Sequence, residues 1–63
     1  MVKVGETYRF VKEDEVYTDK IILIGLSSIY AITLDESNNT YKIGKFKKNE
    51  TYLWLDKGWW VKL

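Results

Sequence analysis

Apolar residues recur along the chain in short runs with a period of two, broken by polar clusters every eight to twelve residues. That spacing predicts β-strands joined by turns. Val2–Val4 opens as a short strand, with Gly5-Glu6 as a kink. Thr7–Lys12 places Tyr8 and Phe10 on one face and Arg9 on the other. Lys12–Glu15 reads as a charged loop. The longest strand begins at Val16 or Tyr17 and runs to Leu26, and Ser27-Ser28 is a tight turn. Ile29–Asp35 returns antiparallel, and Glu36-Ser-Asn-Asn39 is a polar turn. Thr40–Phe46 forms the next strand and Lys47-Lys48-Asn49 the next loop. Glu50–Leu55 and Trp59–Leu63 close the chain as a hairpin.

The central hairpin is apolar on both faces. One set comprises Ile21, Leu23, Tyr30, Ile32 and Leu34, the other Ile22, Ile24, Leu26, Ile29 and Ala31. A half-solvated sheet alternates cleanly between apolar and polar. These strands are therefore expected to be covered on both sides, as when a sheet curls over itself. The fold class expected is all-β: a small, strongly bent antiparallel barrel of five or six short strands, forming a single domain over residues 1–63. Gly25 and Gly44, inside strands, are expected at barrel corners.

Three tryptophans, Trp54, Trp59 and Trp60, fall within seven residues of the last hairpin. Two registers compete there. With Asp56-Lys57-Gly58 as a three-residue loop, one face reads Leu53, Leu55, Trp59, Val61 and Leu63, and the other reads Tyr52, Trp54, Trp60 and Lys62. With Lys57-Gly58 as a two-residue loop, each face mixes core and surface types. The first register segregates better. It assigns Trp59 to the core and leaves Tyr52, Trp54 and Trp60, with Lys62 beside them, as an aromatic strip. The strip is either covered by another segment or open as a partner-binding site.

Composition narrows the chemistry. The chain has 63 residues, no Cys and no His, which removes disulfides, Ser-His and Cys-His catalysis and the usual zinc ligands. Glu13, Asp14 and Glu15 are adjacent loop carboxylates, the pattern of solvated charge. The isolated glycines form no phosphate-cradling loop. No enzyme, no cofactor and no metal site is expected. The absence of Cys and of a signal-like N-terminus points to the cytoplasm, and no run is long enough to span a bilayer. Net charge is +1, too small for general nucleic-acid affinity. Yet Lys42, Lys45, Lys47 and Lys48 cluster just before the aromatic hairpin. Lysines beside stacking aromatics hold single-stranded nucleic acid, whereas lysines alone protect an edge strand.

Three resemblances attach to particular residues. Asp56-Lys-Gly-Trp-Trp60 resembles the Gly-Trp-Trp segment of Src-homology-3 domains. Met1-Val-Lys-Val4, Asp14–Ile21 and the Leu34–Asn39 turn resemble the small chromatin proteins of thermophilic archaea. Val4–Phe10, the Ile-rich hairpin, Thr40–Lys45 and the terminal Trp-containing strand are similar to small SH3-like barrel proteins of bacterial prophages. The last implies a barrel fold and a small phage-type protein that occupies a partner surface. The expected function is thus non-catalytic protein binding through Tyr52, Trp54, Trp60 and Lys62. The alternative is nucleic-acid binding by those aromatics with the four lysines, and the molecule is expected as a monomer or weak homo-oligomer.

Overall fold

The computed structural model describes residues 1–63. Strands β1 (Thr7–Lys12), β2 (Glu15–Ile24), β3 (Ser28–Asp35) and β4 (Thr40–Lys47) form an antiparallel meander. Helix α1 (Lys48–Lys57) follows, and β5 (Trp60–Lys62) adds to the far side of β1. The sheet order is β4-β3-β2-β1-β5. The two turns between β1 and β2 and between β3 and β4 each use one left-handed non-glycine residue, Glu13 and Asn39. Asp35 carboxylate oxygens accept from the Ser37 backbone N–H and the Asn38 side chain, the short-range bonding that makes Asp and Asn turn formers.

The sheet is open. Its edges are β4 and β5, and no ladder joins them, so the expected closed SH3-like barrel of five or six strands does not form. The reason lies in residues 48–57. They were expected to supply a strand from Glu50 to Leu55, and instead they coil into the helix that carries the chain from one sheet edge to the other. Thr51, Trp54 and Leu55 fall at helical spacing on the inward side, with Thr51 fully buried. The Thr51 hydroxyl donates to the Lys48 carbonyl at 2.7 Å. Glu50 in the first turn and Lys57 in the last suit the helix dipole. Gly58, at φ 78°, ends the helix: its N–H donates to the Leu55 carbonyl and the Trp59 N–H to the Trp54 carbonyl.

The expected first strand at Val2–Val4 is also absent. Val2 is buried, and the segment is held by a bond from the Gly5 N–H to the Ile21 carbonyl. The core is small: Val2, Tyr8, Ile21, Ile29, Ala31 and Trp60, with Phe10, Ile24, Phe46, Trp54 and Leu55 against it. All of it lies on the face that α1 covers.

The opposite face of the sheet is uncovered, contrary to expectation. Leu23, Ile32, Tyr41 and Ile43 are exposed there. Ile32 sits directly opposite Ile43, and Leu34 opposite Tyr41. A bulge at Ile22, between Ile21 and Leu23, re-aims the end of β2. Gly44 is not a corner. It pairs regularly with Ala31, and its missing side chain leaves room for the Phe46 ring and Thr33 Oγ1. A Cβ at Gly44 would lie 2.8 Å from Phe46 and 2.7 Å from Thr33 Oγ1.

Candidate functional site

The register places one residue from each strand in a row across the covered face: Lys62, Tyr8, Asp19, Thr33 and Lys42. Beside it runs a second row, Trp60, Phe10, Tyr17 and Asp35. α1 covers only part of this face. Where it stops, an open hollow of about 230 Å³ remains, lined by Phe10, Glu15, Tyr17, Asp19, Thr33, Lys42, Phe46 and Trp54.

Four aromatic rings wall the hollow and hold one another. Trp54 meets Phe10 edge-on at 5.2 Å and Phe46 edge-on at 5.3 Å, and Phe10 lies 6.0 Å from Tyr17. Such edge-to-face contacts set ring positions beyond what area burial supplies. Each ring is only partly covered, so each keeps surface toward the hollow.

The floor is polar and fully bonded. Asp19 is 2% exposed. Its Oδ1 accepts from the Thr33 hydroxyl at 2.8 Å and its Oδ2 from the Trp60 indole N–H at 2.9 Å. Both ion pairs of the molecule lie elsewhere, Arg9–Glu36 and Lys62–Glu6, so this carboxylate is buried without a salt-bridge partner. Burial pushes the Asp19 carboxyl above its ordinary range, against the lowering effect of its two hydrogen bonds and of the Lys42 charge. At the rim, the Lys42 ammonium stands 5.9 Å from the Tyr17 ring centre, and the Tyr17 hydroxyl reaches the Glu15 carboxylate at 3.5 Å.

The residues expected to bind a partner do not form one strip. Trp60 is core, 1% exposed, stacked on Tyr8 at 4.3 Å. Trp59 is partly exposed, with the Lys12 ammonium 4.4 Å above its ring. The expected roles of the two are therefore exchanged, because the helix and its Gly58 cap replace the hairpin register. Trp54 faces the hollow, while Tyr52 projects to solvent from α1. Lys62 is tied to Glu6 at 3.0 Å. The companion faces are corrected too: Leu53, Val61 and Leu63, expected in the core, are exposed.

The four lysines divide. Lys42 belongs to the hollow. Lys45, Lys47 and Lys48 gather with Ser27, Ser28 and Asn49 around a basin lined only by polar and charged residues, beside the start of α1. Phe10, Tyr17, Asp19, Thr33 and Phe46, which also line the hollow, carry no site signal in linear sequence, since strand pairing brings them together. No group of three or more metal-ligating side chains occurs, and no helix is long and apolar enough to cross a membrane.

Compared with known protein families, curated sequences and solved structures, the chain matches no family model, no curated protein and no solved structure. The likeness to prophage barrel proteins therefore has no support from homology, and the open sheet removes its structural basis.

Proposed function

We infer that the protein is a non-catalytic binding module that accepts one side chain of a partner protein in the Phe10–Tyr17–Phe46–Trp54 hollow. The observation that carries this reading is the hollow itself: four partly exposed rings over a bonded polar floor. Its size decides what fits. Sites for whole small-molecule ligands span about 300–1,000 Å³, and this one is smaller, the scale of a single inserted side chain. Trp and Tyr are enriched among the few residues that carry most of the energy at protein interfaces.

The test is affinity capture with two variants that retain the native circular dichroism spectrum and a urea midpoint close to wild type. Tyr17→Ala/Trp54→Leu alters the hollow, and Tyr41→Ser/Ile43→Ser alters the opposite face. Loss of the captured protein with the first and retention with the second is expected. Equal capture by wild type and the hollow variant contradicts the reading.

One observation favours a second reading, nucleic-acid binding: the gathering of Lys45, Lys47 and Lys48 in one basin. No aromatic residue lines the basin itself, and the one ring beside its lysines is Tyr30, 5.8 Å from the Lys45 ammonium, so a row of stacking rings is not built there. Binding to an oligonucleotide that falls steeply from low to moderate salt is the outcome this second reading requires.

A further inference from the structure

Three features of the hollow belong together. The first is the aromatic wall. Ring faces attract cations within about 6 Å of their centres, most strongly when water is excluded. The second is the charge balance. The lining holds two carboxylates, Asp19 and Glu15, and one ammonium, Lys42, a formal excess of one negative charge when both carboxyls are ionised. The third is Asp19 itself. A buried carboxylate without an ion-pair partner costs folding free energy, and the molecule keeps one at the floor of its aromatic hollow.

The resident ammonium shows what the wall accepts. Lys42 reaches the Tyr17 ring at 5.9 Å from the exposed edge strand, at the limit of such contacts, and makes no salt bridge to either carboxylate. It marks the rim and does not fill the interior. An apolar guest would leave the excess negative charge uncompensated, and an anionic guest would add to it. A weakly hydrated cation satisfies both wall and floor.

We propose that the hollow is a cation site for an alkylated ammonium group, carried into it as a methylated lysine side chain of the partner. Phe10, Tyr17 and Trp54 supply the ring faces, and Asp19 and Glu15 supply the countercharge. This rests on the reading of the hollow as the partner site and adds the chemistry of the guest. Lys42 then opposes the guest by like charge.

The experiment titrates the full chain with N-acetyl-trimethyllysine amide and with the analogue in which carbon replaces the ammonium nitrogen, following the Trp54 indole N–H resonance. Binding of the ammonium compound about tenfold tighter than its carbon analogue is expected, the scale of a desolvated cation–ring contact. Lys42→Met should tighten ammonium binding about twofold or more, and Asp19→Asn should weaken it several-fold. Asp19→Asn can keep both floor hydrogen bonds, since the amide oxygen accepts from Trp60 and the amide N–H₂ donates to the Thr33 oxygen. The wild-type comparison needs no variant at all. Equal affinity for the two compounds overturns the cation site and leaves the hollow as an apolar side-chain site. Binding of neither compound overturns it as well. Weaker ammonium binding in Lys42→Met also overturns it, by showing that the site wants the positive charge. The partner reading stands or falls separately, on the capture comparison.

Discussion

Trp60 and Asp19 define this molecule at the scale of single residues. The indole ring stacks on Tyr8 and its N–H closes the bonding of a buried carboxylate. Trp60→Phe keeps an aromatic ring but strands Asp19 Oδ2 and removes ring volume. A loss of about 3 kcal/mol is expected from urea unfolding. Asp19 and Glu6 have opposite pH signatures. Glu6 accepts from the Lys3 backbone N–H at 2.8 Å and pairs with Lys62 at 3.0 Å, which holds its carboxyl at about 2, down from 4.5. A depressed carboxylate contributes stability above its unfolded value and loses it as pH falls from 4.5 toward 2. Asp19 is raised by burial, so its favourable contribution is full below its ordinary value of 3.8 and is lost as pH rises through the folded value. Glu6→Gln should therefore flatten the acid limb of a urea-midpoint series. Asp19→Asn should raise the midpoint at neutral pH. An unchanged acid limb in the first variant, or a lowered neutral midpoint in the second, contradicts these assignments.

Among the elements, the four-strand meander was legible and the last segment was not. β1 falls at the expected Thr7–Lys12, and β3 and β4 fall within a residue of expectation. Their signals, alternation and Asp/Asn-rich turns, act locally and have few competitors. The Asp56-Lys57-Gly58 signal has a competitor. A glycine in the left-handed region serves a three-residue hairpin loop and a helix C-terminus equally well. Thr51-Tyr52-Leu53-Trp54-Leu55 has strand-like composition, but packing of Thr51, Trp54 and Leu55 onto the covered face decides for the helix. That one exchange reverses Trp59 and Trp60. It also explains why the candidate site was only partly readable: Trp54 and Lys42 were singled out, while Phe10, Tyr17, Asp19 and Phe46 join them only through strand pairing. The cap itself is testable. Gly58→Ala places a Cβ at φ 78° and should cost about 1 kcal/mol in thermal or urea unfolding. No loss of stability would mean that the helix does not end on this glycine as described.

For the whole molecule, the decisive asymmetry lies between the two faces of one open sheet. One face carries α1, the small core and the hollow. The other leaves the Ile32–Ile43 and Leu34–Tyr41 pairs without a covering layer. Both faces present apolar surface, but only the first combines ring walls, a bonded polar floor and unbalanced charge. The most direct measurement maps backbone and side-chain resonances of the labelled protein while the captured partner is titrated in. Shifts concentrated at Phe10, Tyr17, Thr33 and the Trp54 indole N–H are predicted, with Ile32, Tyr41 and Ile43 unmoved. Shifts confined to Ile32, Tyr41 and Ile43, with the Trp54 indole unchanged, would contradict the account.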